Sequence, residues 1–313
     1  MNSFVLLFRS MAHHVEQGRS VALCTVISTR GSTPQVPGAA MMVLEDMTTE
    51  GTLGGGCVEA EVRKRACEML LRDRSALLTL SMDGDYGWGD GALCGGTMQI
   101  AVMQIRNAEE ARPFVEAAAA LERCEPASVS LRVEHEGRRR EYRLHIEAPA
   151  KLIIAGGGHV GAEVARLAVG LDFEVTVCDD RAEFANQERF PPPIKSLVGD
   201  IALTLREMDI DSNTFVVIVT RGHKHDEQAL HAVIDSKARY VGMIGSRRKI
   251  KTIFDGLAAL GVEREKLAGV HSPIGLPIGA VTVTEIAISI IAQLIEMRRH
   301  EKPTYVEEKG SRV

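Results

Sequence analysis

The chain has 313 residues, of which 45% are hydrophobic and 25% are charged, and this suits two soluble globular domains. Its 37 Lys and Arg residues are outnumbered by 42 Asp and Glu residues, so the net charge of −5 favours neither a nucleic acid nor an acidic membrane surface as partner. The six cysteines form no Cys-x-x-Cys pair and lack the spacing of secreted disulfide frameworks, so we expect a cytoplasmic protein. The apolar tract at residues 274–295 contains Pro277 and Glu285, which argues against a membrane span.

The first half of the chain predicts an α+β domain. Helical spacing of apolar residues over about residues 4–15 predicts an amphipathic helix and not a signal peptide. Further helices are predicted over residues 58–72 and 107–123, and strands over residues 20–28, 39–45, 77–82 and 97–103. Alternating residues at 127–133 and 141–146 predict a hairpin that completes this sheet. We place the N-terminal domain at residues 1–149, with its linker around Pro149.

The sharpest chemical feature of this domain is the sequence Gly54-Gly55-Gly56-Cys57, at the start of a predicted helix. Glycines can turn backbone N–H groups toward an anion, and the positive end of the helix would lower the pKa of the thiol. Cys57 is therefore a candidate reactive thiol and metal ligand. Cys94, followed by two more glycines, has the same character one strand later. For both residues, packing as a small buried side chain is the alternative.

A glycine turn opens the second half of the chain. The apolar run at residues 152–155 leads into Gly156, Gly158 and Gly161, which fit G-x-G-x-x-G between a strand and a helix. In such a turn a phosphate group can approach the backbone and the N-terminus of the helix, where His159 lies. The turn predicts a nucleotide-type or phosphate site.

The remaining pattern predicts a Rossmann-like, doubly wound parallel sheet over residues 150–300. Asp179 ends the second strand of this domain, where an acid can hold a ribose hydroxyl. Thr282 and Glu285 fit a capping box that begins the final helix. Residues 301–313 are predicted to be a loose tail.

Polar loops follow two further strands of this domain. His223, His225 and Asp226 lie in a predicted loop, residues 220–226, ahead of a helix at residues 227–236. One interpretation is a metal site, because imidazole and carboxylate are common ligands. The alternative is that Asp226 caps the helix and the histidines border a ligand site.

Ser246 and Arg247 stand in the next such loop, where a helix N-terminus and a guanidinium group would suit a phosphate. A solvated charged surface is the alternative. Because the carboxyl ends of parallel strands share one edge of the sheet, we expect these loops to gather around one crevice with the glycine turn.

Seven segments of the chain together resemble the XdhC/CoxI family, the accessory proteins of xanthine dehydrogenase and related molybdenum hydroxylases. They are Gly38-Ala-Ala-Met-Met-Val43, Gly51-Thr-Leu-Gly-Gly-Gly-Cys-Val-Glu59, Leu93-Cys-Gly-Gly96, Gly156-Gly-Gly-His-Val-Gly161, Thr220-Arg-Gly-His-Lys-His-Asp226, Met243-Ile-Gly-Ser-Arg-Arg-Lys249 and Pro273-Ile-Gly-Leu-Pro-Ile-Gly279. The resemblance extends over about residues 3–300.

The resemblance implies a chaperone more than a catalyst. Such a protein binds the molybdenum cofactor (molybdopterin, with or without an added nucleotide) and holds it while a terminal oxo ligand is replaced by sulfur. It then delivers the cofactor to the apo-form of a hydroxylase. The family's cofactor-linked cysteine corresponds by motif to Cys57, with Cys94 as the second candidate. The implied partners are the hydroxylase, a cysteine desulfurase and a second copy of the chain.

Two other functions remain open from the residues alone. The glycine turn and Asp179 would also suit an NAD(P)-dependent oxidoreductase, which is the class we expect if the protein is an enzyme. A regulator that senses a nucleotide without catalysis would use the same turn.

Overall fold

The computed structural model describes residues 3–82, 95–299 and 304–308. The chain divides into two compact units, one formed by Pro149–Glu301 and the other by Asn2–Ala148 with Lys302–Val313. In the part of the chain that is described, no helix is long and apolar enough to cross a lipid bilayer.

The elements follow one another along the chain as helices and strands of ordinary length. In the first part they are α1 (Ser3–Glu16), β1 (Val21–Arg30), β2 (Ala40–Leu44), β3 (Thr49–Gly51), α2 (Gly56–Leu71), β4 (Ala76–Ser81), β5 (Thr97–Ile105), α3 (Ala108–Glu122), β6 (Ala127–His135) and β7 (Arg138–Ile146). In the second part they are β8 (Ala150–Ala155), α4 (His159–Val169), β9 (Phe173–Asp179), β10 (Lys195–Val198), α5 (Ile201–Glu207), β11 (Thr214–Ile218), α6 (His223–Val233), β12 (Tyr240–Met243), α7 (Arg247–Ala259), α8 (Arg264–Ala268), α9 (Val283–Arg299) and β13 (Thr304–Glu308).

The N-terminal unit is built on one eight-stranded sheet, in the order β13-β7-β6-β4-β5-β1-β2-β3. Its strand pairs are antiparallel apart from a single parallel contact between β4 and β6. The predicted hairpin forms β6 and β7 and extends this sheet. Val129, Leu131 and Val133 of β6 are buried and alternate with less buried residues, as expected when one face of a strand meets the core.

Helices cover both faces of this sheet. On one face α1 and α3 pack together, and the rings of Phe8 and Phe114 meet edge to face with centroids 5.3 Å apart. On the other face α2 buries Val58, Val62 and Ala66, which recur every four residues and therefore form one stripe of the helix. This stripe fixes α2 against the sheet and so positions the residues at its first turn.

The second unit has a five-stranded parallel sheet in the order β10-β9-β8-β11-β12. This order is that of a Rossmann fold, and it confirms the predicted doubly wound sheet. Helices α4 and α9 pack on one face, while α5, α6 and α7 pack on the other. Beside β12, His271 forms one parallel bridge to Gly242, at the position of a sixth strand.

The final helix begins as predicted. Glu285 accepts hydrogen bonds from the backbone N–H groups of Val281 and Thr282, each at 2.8 Å, and the Thr282 hydroxyl accepts from the Glu285 N–H. This reciprocal pair confirms the capping box.

The prediction of a loose tail over residues 301–313 is wrong for its central part. Thr304–Glu308 form β13, which pairs antiparallel with β7. Arg140 of β7 donates to Glu308 at 2.5 Å, and Val306 packs against the core. Without β13, strand β7 would be an exposed edge with unpaired backbone groups, and covering that edge is the physical reason for this strand.

Candidate functional site

The loop around Cys57 meets a neighbouring loop at one end of the N-terminal sheet. Strand β1 ends at Arg30 beside the start of β5, and the nearby residue Ser32 bridges to Gly95. A Cβ atom on Gly54 would lie only 2.6 Å from the Cβ atom of Pro34. The loop after β1 therefore touches both the turn before Cys57 and the glycine that follows Cys94. Cys94 itself lies outside the described residues.

The three glycines before Cys57 all adopt left-handed backbone conformations, with φ of 103° at Gly54, 79° at Gly55 and 62° at Gly56. Other residues rarely adopt three such angles in succession, so the glycines are needed for the turn itself. At Gly55 and Gly56 a Cβ atom would meet no neighbour within 4 Å. The space above this turn is consequently open.

Helix α2 starts at Gly56, which places Cys57 in its first turn with an exposed side chain. Within the described chain, the backbone N–H groups of Gly56, Cys57 and Val58 have no hydrogen-bond acceptor. These groups are the free donors of a helix N-terminus, which carries partial positive charge. A thiol and a set of anion-binding donors thus lie side by side.

The carboxylate of Glu59 accepts hydrogen bonds from some of the backbone N–H groups that the sequence predicted to bind an external anion. Its Oε1 accepts hydrogen bonds from the Thr52 hydroxyl at 2.6 Å, the Leu53 N–H at 2.8 Å and the Gly55 N–H at 2.9 Å. Burial acts to raise the pKa of Glu59, but these hydrogen bonds outweigh it and lower the pKa below its usual value. The donors left for a ligand are therefore those of Gly56 to Val58, next to Cys57.

The remaining described cysteines differ from Cys57. Cys24 and Cys178 are buried in the core, and burial raises the pKa of both thiols, that of Cys178 to about 12. Cys67 and Cys124 are half-buried. No group of three or more His, Cys, Asp or Glu residues is arranged to hold a metal ion in the described ranges. Cys57 thus offers one sulfur ligand, which fits a metal that arrives with other ligands of its own.

The glycine turn of the second unit shows which of its positions faces open space. A Cβ atom on Gly156 would lie 2.5 Å from the Val219 carbonyl oxygen, and one on Gly161 would overlap the Gly156 carbonyl oxygen. At Gly158 nothing lies within 4 Å of such an atom. His159 follows as the exposed first residue of α4. A phosphate group could therefore approach at Gly158, as the motif predicts.

Asp179 is engaged by the protein itself. Its side chain is almost fully buried and accepts hydrogen bonds from the Gly157 N–H at 2.9 Å and from the Arg181 N–H, Nε and Nη2 at 3.1, 2.9 and 3.0 Å. Arg181 also stacks on the ring of Phe184, at 3.7 Å from the centroid. Four donors use the lone pairs of a carboxylate, so a ribose hydroxyl would have to displace one of them.

These contacts predict a defined pH dependence for the stability of this unit. Burial acts to raise the pKa of Asp179, but the hydrogen bonds from Arg181 and Gly157 outweigh it and lower the pKa. The charged carboxylate therefore stabilises the fold above the unfolded-state pKa of about 4, and this stabilisation is lost as the pH falls through the lower folded-state pKa.

We expect the difference in unfolding free energy between the native chain and Asp179→Asn to be constant from about pH 8 to pH 5 and to shrink below about pH 4. Urea denaturation at stepped pH measures this difference. The same difference at pH 3 and pH 7 would contradict the ion pair.

The sequence suggested that Asp226 caps a helix starting after it, and this is wrong. Helix α6 already begins at His223, and Asp226 lies within its first two turns, completely buried. One carboxylate oxygen accepts from the Thr220 hydroxyl at 2.5 Å and the Thr220 N–H at 3.1 Å, and the other forms an ion pair with Lys249. The helix starts early because this acid binds back to the strand-to-helix turn.

His223, Ser246 and Arg247 all stand at helix starts on the carboxyl edge of the parallel sheet. His223 and Arg247 are the exposed first residues of α6 and α7. Ser246 caps α7 by accepting a hydrogen bond from the Lys249 N–H at 3.3 Å. The hydroxyl of Ser246 therefore has a structural role. The side chains of His223 and Arg247 remain exposed beside the N-termini of α6 and α7, where an anion can bind.

Comparison with known proteins identifies the chain. Residues 14–81 match the model of the XdhC and CoxI family, and residues 152–294 match that of the XdhC Rossmann domain. The chain belongs to the XdhC/CoxI family. The second match covers the strands and helices that carry the glycine turn, and the first covers the turn before Cys57.

Three curated relatives share this likeness. The uncharacterized protein YqeB of Escherichia coli K12 is 28% identical over 94% of this chain, which spans about half (46%) of that relative. A probable xanthine dehydrogenase subunit of Bacillus subtilis 168 is 24% identical, with 91% of this chain and 95% of the relative aligned. The molybdenum cofactor insertion chaperone PaoD of Escherichia coli K12 is 23% identical, with 95% of this chain and 89% of the relative aligned.

A solved structure supports the same fold. A crystal structure of a xanthine dehydrogenase from Bacillus halodurans superposes with a TM-score of 0.82 at 23% identity, covering 96% of this chain and 97% of that one. Both units of the chain therefore have counterparts in an experimental structure.

Proposed function

We propose that this protein binds the molybdenum cofactor, holds it during sulfuration and delivers it to a xanthine dehydrogenase-type molybdenum hydroxylase. The observation that carries the proposal is the exposed Cys57 thiol at the N-terminus of α2, beside the unpaired N–H groups of Gly56 and Val58 in the described chain. A soft thiolate suits molybdenum, and N–H donors suit its oxo groups or the phosphate of the pterin. Membership of the family and the likeness to PaoD support this choice of cargo.

A second position in the described chain suits the phosphate of such a cargo. Gly158 and His159 at the start of α4 offer an open position for a phosphate group or, if the cofactor carries one, an added nucleotide. Cys94 remains the second candidate thiol of the proposal. In this role the protein is a cofactor carrier, with the apo-hydroxylase, a sulfur-donating cysteine desulfurase and a second copy of the chain as its partners.

The role of Cys57 predicts the metal content of purified protein. We expect Cys57→Ala, produced in a host that makes the cofactor, to retain less than about one tenth of the molybdenum and pterin of the native chain, because soft-metal binding depends on the thiolate. Elemental analysis and the fluorescence of oxidised pterin measure the two quantities.

Cys67→Ala is the matched control, because Cys67 lies in the same helix but donates its thiol to the Glu45 carbonyl oxygen at 3.4 Å. This variant should retain the native content of both. Equal molybdenum in Cys57→Ala and the native chain would overturn the assignment of the site.

An NAD(P)-dependent oxidoreductase is the second candidate, and the open position at Gly158 on a Rossmann sheet favours it. Against it stands the engagement of Asp179 by Arg181, since a dinucleotide would need that acid for its ribose. Calorimetric titration with NAD(H) and NADP(H), followed by assays of turnover, separates the candidates: the carrier predicts no turnover of a carbonyl or alcohol with either nucleotide.

A further inference from the structure

A cavity of about 350 Å³ lies between α2 and β4 in the N-terminal unit. Its walls are Arg65, Glu68, Met69 and Arg72 from α2, Arg74 from the following turn, and Ala76 and Leu78 from β4. The α2 residues are spaced three and four apart and so form one stripe of the helix. This volume is at the lower end of the range for small-molecule sites.

The cavity is distinct from the site at Cys57. Arg65 lies eight residues after Cys57 on the same helix, so the cavity begins about 12 Å away along the helix axis. It occupies the last turns of α2, whereas Cys57 occupies the first.

The charges around the cavity are not balanced. Arg65 donates through Nε to Glu61 at 2.5 Å, but Arg72 and Arg74 have no ion pair or side-chain hydrogen bond to any described residue. Against these three guanidinium groups, the cavity wall contains one carboxylate, that of Glu68. Arginines near the carboxyl end of a helix stabilise the helix dipole. That role does not explain why three arginines line the same cavity.

A second acid next to the cavity, Asp73, is held away from it. Asp73 stands between Arg72 and Arg74, and Arg106 binds its carboxylate through Nη1 at 2.9 and 3.1 Å. Asp73 has a left-handed backbone with φ of 54°, which reverses the chain after α2 and lets both flanking arginines line the cavity. The fold thus removes one local counter-ion and leaves Arg72 and Arg74 at a cavity whose described wall contains only the Glu68 carboxylate.

The other walls are apolar. Leu78 is buried in the sheet, and Met69 packs against the same core while bordering the cavity. A ligand here would place an anionic group on the arginines and a less polar body against Met69 and Leu78. Planar guanidinium groups bind phosphate with two parallel hydrogen bonds and also stack on flat rings.

We propose that this cavity is a binding site for a small phosphate monoester that carries a flat ring. The site depends on Arg72 and Arg74 for the phosphate and on Met69 and Leu78 for the ring. It is independent of the cargo proposed for Cys57.

Calorimetric titration with AMP at low ionic strength tests the site, with adenosine and inorganic phosphate as partial probes. We expect one saturable binding event with AMP that weakens at least tenfold in Arg72→Ala/Arg74→Ala, and much weaker binding of adenosine, which lacks the phosphate. The event should also weaken as salt is added. If AMP also binds at the glycine turn of the Rossmann unit, that separate binding event would be unchanged in this variant.

Arg63→Ala is the matched control, because Arg63 is exposed on the same helix but does not line the cavity. It should leave the AMP isotherm unchanged. Both altered arginines are exposed, and thermal unfolding of the variants checks that they fold. Identical AMP isotherms for the native chain and the folded double variant would overturn the proposal, and so would equal binding of adenosine and AMP.

Discussion

Gly161→Ala is expected to destabilise the Rossmann unit by at least about 3 kcal/mol and to lower its melting temperature by roughly 10 °C. The added methyl group would overlap the Gly156 carbonyl oxygen and lie 3.3 Å from Cγ2 of Ile154. Both neighbours belong to the turn and strand that α4 packs against, so relief requires the helix to move away from the sheet. Differential scanning calorimetry of the full chain measures the effect.

Gly158→Ala is the control for this prediction. Gly158 has φ of −63° and ψ of −169°, which alanine can adopt, and its Cβ atom would meet nothing within 4 Å. We expect a melting temperature within about 2 °C of the native value, in line with other changes at unpacked positions. Equal destabilisation by the two variants would contradict the described geometry of the turn.

The sequence predicted the parts of the fold that depend on local pattern. Hydrophobic periodicity identified α1, α2 and the parallel strands β8, β9, β11 and β12, and the spacing of Gly156, Gly158 and Gly161 identified the Rossmann turn. The capping box at Thr282 could be read in the same way, because each partner is three residues from the other.

Features that depend on a distant partner were missed. Nothing local in Thr304–Glu308 indicates that β7 needs a neighbour, since that need arises only when the sheet is assembled. The short strand β10 and helix α5, which follow Pro191-Pro192-Pro193, were likewise not predicted. The start of α6 was predicted too late in the sequence, because the contact between Asp226 and the preceding Thr220 was not foreseen.

The candidate site was predicted in its parts but not in its internal contacts. The glycines and the thiol of Cys57 are visible as residue types, and the positive φ angles agree with the predicted turn. The sequence does not show that Glu59 accepts the N–H groups of this turn, or that Arg181 engages Asp179. In both cases a charged side chain of the protein makes the hydrogen bonds that the sequence motif predicts for a ligand.

Asp226→Ala is expected to cost about 3–5 kcal/mol of unfolding free energy. The carboxylate is completely buried, binds the Thr220 N–H and hydroxyl, and forms an ion pair with Lys249 at the start of α7. Alanine would leave a partly buried ammonium group without its counter-ion and a backbone N–H without an acceptor. Urea denaturation of the native and variant chains measures the loss.

A double-mutant cycle separates the ion pair from the hydrogen bonds. Asp226→Asn keeps one oxygen for Thr220 and removes the charge, so it should cost less than Asp226→Ala. Lys249→Met leaves a buried carboxylate unpaired in the native chain, and should therefore cost several kcal/mol there but about 1 kcal/mol or less in the Asp226→Asn background. Equal costs of Lys249→Met in both backgrounds would show that the pair does not couple α6 to α7.

A smaller cost in the Asp226→Asn background would show that they are coupled. One buried charge would then fix the N-termini of both helices at the carboxyl edge of the sheet, where His223 and Arg247 stand.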